Sequence, residues 1–589
     1  MAAGCKGVGA DTTGGASVLR ETLMNGYFCG RRGQLSKGKN FMWSRVLKLA
    51  AALCIGIACL TGPAPWTIGQ AHAAKGNAAP DAATTRQAIV QILTTKDRLP
   101  LPIQKVRETL TAHYVDNNGE IFWVGTSRMT PFVQRLEFAD DDGLKRADYP
   151  VDYLVGLRDQ IDPSNPLAAA YAEIAYSAFF LGYASDLATG RVILSKIDRD
   201  HFQKPRKLDL LALLEGVGSA RNPSQYLSTV EPQNAHYRAL KSLLREYRTI
   251  AGEGGWGTVD RGEVLKPGMS DPRVLQLRAR LEKSGDISPR EVPDPMIYSP
   301  DLVLAFEQFQ KRNGLDVDGI IGAGSLSMLN VTAEERMRQI IINMERWRHM
   351  PRDMGDRHLM VNIAAFELYT YEDGTLIEAR PVMVGKDRHQ TPIFSDELEY
   401  VDINPTWTVP YSIATKEMLP KLQANPGYLG PNFELLSGGR SIPFTSVNFN
   451  NYSRGDFPFT IRQKPGAKNA LGIIKFMLPN RHAIYLHDTP SKALFGKTQR
   501  AFSHGCIRVY KPLEFGVSVL RNEPGWNLQR LQRVVETRKT TRVRLKQKVP
   551  VHIVYATAWR GEGGSVEFRK DIYSRDKKLY NALFGKPSS

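Results

Sequence analysis

Residues 484–509 read IYLHDTPSKALFGKTQRAFSHGCIRV: a strand-like run ending at His487, an irregular connection, and a second run built around Ser503-His504-Gly505-Cys506-Ile507-Arg508-Val509. A thiol attacks a carbonyl as the thiolate, so Cys506 needs a base or a positive charge to bring its pKa below about 8.5. Two histidines can supply this. His504 is two residues away, on the same face if the backbone is extended, and His487 closes the strand upstream. Gly505 lets the backbone approach a substrate closely and leaves adjacent N–H groups for an oxyanion. Arg508 offers a fixed cation for a substrate carboxylate. Taken singly, these are a core cysteine, a strand-end histidine, a turn glycine and a surface arginine. Taken together, they supply a nucleophile, a base, an oxyanion site and an anion anchor. The competing chemistry is a mixed zinc set of His487, Asp488, His504 and Cys506, for which the sequence lacks a familiar spacing.

The surrounding chain has 589 residues, room for about three or four domains. Its 42% hydrophobic and 23% charged residues are those of a globular protein, and Gly and Pro recur without period, so disordered, collagen-like and low-complexity classes are excluded. Net charge is +18, falling to +12 when residues 1–73 are set aside, a balance that suits an anionic partner. Four of the five cysteines precede residue 60, and Cys506 stands alone in the remainder. That remainder can form no internal disulfide and no four-cysteine zinc site.

The N-terminus reads as an export signal over residues 1–73. A basic region (Lys37, Lys39, Arg45, Lys48) precedes the apolar run 49–60, and Gly62, Pro63 and Pro65 lead to Ala71-His72-Ala73, an A-x-A cleavage pattern. The apolar run is short for a bilayer span of about 20 residues, although an uncleaved segment would act as a membrane anchor. Met24 and Met42 are alternative starts. Export to an oxidising compartment sharpens the reading of the unpaired Cys506 as a reactive thiol.

Residues 74–84 read as a linker, and apolar spacing from about 85 to 250 is helical. The Ala-rich stretch 167–188 could pass for a membrane span, but Glu173 and Asp186 interrupt it, which predicts a buried helix. Helical spacing resumes over 266–331, where Asp316-Val317-Asp318-Gly319-Ile320-Ile321-Gly322 forms a turn that lacks the twelfth-position glutamate of a calcium loop. Thr332-Ala333-Glu334-Glu335 is a capping box for a helix to about His349, stopped by Pro351. Strand-like runs follow at 358–371 and 376–384, around the Asp373-Gly374 turn, and again at 398–403, 483–487 and 551–556. Residues 411–470 show Pro, Gly and Asn without a clear strand period, as expected of a lid or binding loop.

The turn and the closing Leu329-Asn330 of residues 266–331 resemble the peptidoglycan-binding domain of cell-wall enzymes. The pattern His487-Asp488-Thr489 followed by 503–509 resembles the signature of the L,D-transpeptidase (YkuD) family, as do Val384-Gly385-Lys386, Thr391-Pro392 and Asn404-Pro405-Thr406-Trp407. The order of parts is similar to the large Gram-negative YcbB-type members. The resemblance covers roughly residues 85–560 and implies a multidomain α+β protein with a helical scaffold domain (85–255), a three-helix peptidoglycan-binding module (266–331) and a β-rich catalytic domain (357–560) with a lid-like insertion (411–470). The sequence beyond it reads as a basic C-terminal extension (561–589).

The resemblance further implies that Cys506 attacks the third residue of a donor tetrapeptide stem, that D-alanine leaves, and that an acceptor diaminopimelate amine resolves the thioester into a 3→3 cross-link. His487 then carries the proton, His504, Gly505 and Cys506 shape the oxyanion site, and Ser503 and Arg508 orient substrate. The residues themselves do not rank His487 above His504. The expected partners are peptidoglycan stem peptides, as donor and acceptor, and unidentified cell-wall synthesis proteins, with no nucleic acid, cofactor or metal. The expected place is the periplasm or cell envelope. An L,D-carboxypeptidase that hydrolyses the same thioester and a non-enzymatic wall-binding protein are the alternatives.

Overall fold

The computed structural model describes residues 81–585 apart from residue 163; the export-signal segment 1–73 lies outside the described residues. Five helices of the first region start at side chains that accept from exposed N–H groups of the first turn: Asp81, Asn165, Asp209, Asn222 and Asn234. At the centre lies helix Pro166–Thr189, apolar on all sides and buried along most of its length. Among the described residues it is the one helix long and apolar enough to cross a membrane. Glu173 explains its placement inside the protein. Its buried carboxylate accepts from the Tyr114 hydroxyl and from the backbone N–H groups of Phe122, Trp123 and Val124 at 2.8–3.0 Å. One side chain thus pins the 122–124 loop, which has no secondary-structure partner of its own, and Trp123 packs onto Phe132, Tyr176 and Phe180.

The second module packs Arg273–Lys283, Pro300–Arg312 and Ala323–Leu329 around Leu277, Leu281, Leu302, Phe306 and Phe309. The Asp/Gly turn is held from within, Asp318 accepting from Gln310 and from the N–H of Ile320. The module is tied to its surroundings. Arg569 donates to the carbonyl of Arg312, and Arg336 of helix Ala333–Arg348 donates to Asn313. That helix begins at the Thr332/Glu335 capping box and ends at His349, as the sequence predicts.

The β-rich part consists of β1 Arg357–Asn362, β2 Glu367–Glu372, β3 Thr375–Gly385, β4 Phe394–Ile403, β9 Ile474–Met477, β10 Leu486–His487, β11 Ala501–Ser503, β12 Ile507–Val509 and β13 Thr541–Val554. They form one sheet in the order β11-β3-β12-β10-β9-β4-β13-β1-β2, and a β2–β3 pairing closes it on itself. Alternate residues fill the enclosed core, among them Val361, Val382, Val401, Phe476, Leu486, Ile507 and Ile553. The β2–β3 turn is Asp373-Gly374, both at positive φ (49° and 77°), the backbone that a two-residue hairpin needs.

Three expectations are corrected. Residues 358–371 are two strands, divided by a tight turn at 363–366 in which Phe366 has φ 58°. Residues 411–470 are a folded subdomain. Its strands β6 Phe433–Ser437, β7 Arg440–Ile442 and β8 Thr460–Gln463, joined by β5 Trp407–Thr408 from just before it, form a second sheet over a core of Leu419, Leu422, Leu435, Phe449 and Ile461. Strands of two to five residues leave too little alternation for a period to register.

Residues 561–585 are part of the core structure, not an extension. After the hairpin β14 Ala558–Arg560 and β15 Val566–Phe568, Tyr573 is buried and its hydroxyl donates to the carbonyl of Gly385. Arg575 donates to the carbonyl of Thr391 at 3.1 Å and pairs with Asp198 of the helical region at 2.9 Å. Basic residues in this stretch read as a solvated tail until their partners are known.

Tyr573→Ala therefore removes a buried aromatic and the brace on Gly385. Urea denaturation is expected to register a loss of about 3 kcal/mol, the scale of large aromatic truncations in cores. An unchanged midpoint would mean that the segment is dispensable to the fold.

Candidate active site

The site is set by the β10/β12 register. These strands pair in parallel, Leu486 opposite Ile507 and His487 opposite Arg508. Leu486, Ile507 and Val509 face the core, so His487 and Arg508 point to the other side, and Cys506 sits in the bend that leads into β12. The thiol is half-buried and lies 3.5 Å from the carbonyl of Ala483.

Ser503 and Gly505 build the bend. The Ser503 hydroxyl donates to the carbonyl of Cys506 (2.6 Å) and accepts from the N–H of Gly505 (3.1 Å). Gly505 has φ 116°, open to glycine and strained for other residues. The Thr391 hydroxyl donates to the carbonyl of Gly505 at 2.8 Å and accepts from the N–H of Gly385 at 2.9 Å. Two sequence expectations change accordingly. The Ser503 hydroxyl is spent inside the turn and is not turned to substrate. The Gly505 N–H is not free for an oxyanion, because Ser503 holds it.

The histidines separate cleanly. His504 is exposed, its Nε2 is 3.1 Å from Glu417 of the insertion, and its ring lies 4.8 Å from that of His389. His487 is buried, with Nδ1 2.5 Å from the carbonyl of Asp488. A carbonyl accepts, so Nδ1 carries the proton and Nε2 keeps its lone pair. Asp488 is itself occupied, accepting from the N–H of Ile473 at 3.0 Å. With His504 on Glu417 and Asp488 on Ile473, the four residues of the zinc reading do not converge, and no cluster of three potential ligands occurs among the described residues.

A family model described as the L,D-transpeptidase catalytic domain matches residues 356–523. These residues are a YkuD domain. A scaffold domain matches 108–244, and a "Putative peptidoglycan binding domain" matches 270–329. A curated relative from Haemophilus influenzae, "Putative L,D-transpeptidase", is 35% identical over 261 residues, 43% of this chain. The match spans 52% of that relative, so the chain aligns with about half its length. Similar solved structures include residues 123–326 of the Xylanimonas cellulosilytica L,D-transpeptidase, at 13% identity and TM-score 0.17, covering 50% of this chain and 99% of that one. The Stackebrandtia nassauensis L,D-transpeptidase gives 13% identity and TM-score 0.20, covering 50% and 96%. Scores this low decide nothing about the fold.

Electrostatically, the YkuD domain rests in a discharged state. Burial pushes the Cys506 thiol up, against the pull of Tyr485, Lys475 and Arg508. Burial, with Arg508 next, pushes His487 down to about 3, while the carbonyls of Asp488 and Leu471 pull the other way. The free site thus holds a neutral thiol and a neutral imidazole at pH 7. Sequence reading missed Thr391 as the brace of the turn. It also missed Lys475 and Tyr485, which register with the motif only once β9 and β10 are paired.

Burial likewise lowers His201 to about 3 and His552 to about 4. Folded pKa values below the ordinary 6.5 mean that the unfolded chain binds more protons between about pH 6.5 and 4. Stability should therefore fall as pH drops through that window, by up to about 1.4 kcal/mol per pH unit for each histidine. His552 is held by Ser395 and the carbonyl of Met354, so His552→Gln should give a shallower Tm-versus-pH slope. A flat wild-type profile from pH 7 to 4 would contradict the neutral buried histidines.

Proposed function

We propose that this chain is a peptidoglycan L,D-transpeptidase of the periplasm or cell envelope that uses Cys506 as nucleophile. The observation that carries the reading is the pairing of β10 with β12. It brings a buried imidazole with a free Nε2 lone pair to the sheet face that Cys506 enters.

In the proposed reaction His487 takes the thiol proton as Cys506 attacks the carbonyl of the third stem residue in a tetrapeptide donor. The tetrahedral oxyanion is met by the N–H groups of His504 and Cys506, since that of Gly505 is engaged. Collapse breaks the peptide bond, His487 returns its proton to the leaving D-alanine amine, and a thioester remains. The side-chain amine of an acceptor diaminopimelate, deprotonated by His487, then displaces Cys506 and forms a 3→3 cross-link. The export reading of residues 1–73 and the peptidoglycan-binding module both support this substrate and place.

Transfer against hydrolysis depends on excluding water. Glu417 of the insertion reaches His504, next to Gly505 in the motif, and the Trp407 side chain at the insertion's root hydrogen-bonds to Tyr485. This contact supports the insertion as a cover over the acyl-enzyme and favours the transferase over the carboxypeptidase.

Intact-mass analysis after incubation with a tetrapeptide donor should register an acyl adduct on Cys506 with release of D-alanine. Cys506→Ala should abolish turnover, and His487→Ala should cost roughly 10²-fold or more, the scale of a lost general base. Wild-type rates of cross-linking by Cys506→Ala would sink the assignment and leave a wall-binding protein. A larger loss in His504→Ala than in His487→Ala would reverse the two histidine roles.

A second experiment addresses the cover. Glu417→Ala should raise the ratio of hydrolysed tripeptide to cross-linked product while acylation changes little. An unchanged ratio would remove the Glu417–His504 contact from the mechanism.

A further inference from the structure

Four adjacent strands of the YkuD domain place a row of polar side chains across the face opposite the core. Asp402 of β4 lies opposite Lys475 of β9, Lys475 opposite His487 of β10, and His487 opposite Arg508 of β12. Two cations therefore flank the proposed base, one strand away on either side. Ile474 and Phe476, which bracket Lys475, both lie in the core, so alternation turns Lys475 toward this face.

Neither cation has an anion among the described residues. Lys475 is half-buried with its ammonium 4.2 Å from the centre of the Tyr485 ring, and no carboxylate lies within ion-pair distance among the described residues. Its register neighbour Asp402 is already taken, accepting from Arg542 Nε at 2.7 Å and Nη2 at 3.0 Å. Arg508 is also half-buried, and its Nε is buried without a hydrogen-bond partner. The other acids near the motif are engaged elsewhere, Glu417 with His504, and Asp488 with the N–H of Ile473 through Oδ2 and with the Lys492 ammonium at 3.8 Å through Oδ1. Partly buried cations in structural roles are ordinarily paired. Two left without partners beside one nucleophile describe a site that the ligand completes.

We propose that Lys475 and Arg508 together bind a free carboxylate of the donor stem peptide, and that Lys475 is a specificity-determining residue of the site. This rests on the transpeptidase reading, in which the donor is a peptide with several free carboxylates. The ammonium and guanidinium are donors only, so they discriminate a carboxylate from its neutral amide. Arg508 supplies the fixed planar end of the clamp, and Lys475 supplies the charge on the far side of His487.

The test uses the full protein, a tetrapeptide donor and three donors, each amidated at a different carboxylate. Binding to the Cys506→Ala protein, by calorimetry, reads recognition without turnover. Lys475→Gln in that background should weaken the unmodified donor by roughly ten-fold or more, the scale of a charged hydrogen bond. It should leave one of the three amidated donors unchanged, and that donor identifies the carboxylate. Lys475→Arg should recover most of the loss.

In the active enzyme the same change should raise KM more than it lowers kcat. The rate of Cys506 alkylation by iodoacetamide, a neutral probe, reads the separate effect of the Lys475 charge on the thiolate and should slow only together with the rise in KM. Equal weakening of all four donors by Lys475→Gln would overturn the proposal, as would slowed alkylation with unchanged KM, which would assign Lys475 to the thiolate instead. A protein that discriminates the amidated donors but forms no acyl adduct would retain the carboxylate site and lose the transpeptidase reading.

Discussion

The Thr391 hydroxyl is the joint on which the site depends. It donates to the carbonyl of Gly505 and accepts from the N–H of Gly385, so one buried oxygen locks the bend that carries Cys506 to the strand beside it. A bend with its glycine at φ 116° has no regular ladder to hold it, and its shape must be imposed by side chains. Ser503 imposes it from within, and Thr391 from the adjacent loop. The loop is braced in turn by Tyr573 on Gly385 and Arg575 on Thr391, and Arg575 reaches on to Asp198 in the helical region. A series of hydrogen bonds ending in an ion pair thus links the Cys506 bend to the helical region, so the distant C-terminal residues help to hold the geometry of the proposed site.

Local signals carried much of this structure into the sequence. The capping box at Thr332 and Glu335 works because both partners lie within one turn, and the Asp373-Gly374 hairpin because both positive-φ residues are adjacent. Cys506 and His487 are legible as chemistry, since an unpaired thiol beside histidines in a chain read as exported has few other uses. What escaped reading was set by long-range pairing. The insertion's core draws on Phe449 and Phe457 at irregular spacing, and Tyr573 gains its meaning from a partner 188 residues away. Ser503 escapes such reading because a serine beside a reactive cysteine is equally consistent with facing the substrate or closing the turn; only the folded bend separates the two.

The same limit explains Lys475. In sequence it is one lysine among many, with 30 residues between it and Cys506. In the sheet it is the lateral neighbour of His487, and its significance lies in the lack of a carboxylate within reach. Charge balance is a property of the folded site that no window of sequence contains. By contrast Glu173, flagged in sequence only as an interruption of an apolar run, proves to be fully satisfied by four donors. Both are ionisable groups at least partly withdrawn from water; the difference is that Glu173 has its hydrogen-bond donors in the chain, whereas Lys475 has no carboxylate partner among the described residues.

That difference bears on how the nucleophile is controlled. A neutral thiol entering one strand and an imidazole pushed down to about 3 on the strand beside it make a weak pair, and two uncompensated cations contribute to the imidazole's side of that weakness. Those cations also favour the thiolate, so removing them would strengthen the base and weaken the nucleophile together. A substrate carboxylate that neutralises them acts only after docking, when the thiol already faces its carbonyl and proton transfer has somewhere productive to lead. Arranged this way, the empty site holds its thiol in the neutral, less nucleophilic form, a useful property for the one free thiol among the described residues of a chain read as exported to an oxidising compartment. The charge left unpaired in the folded protein is then best understood as the half of an ion pair that the donor brings.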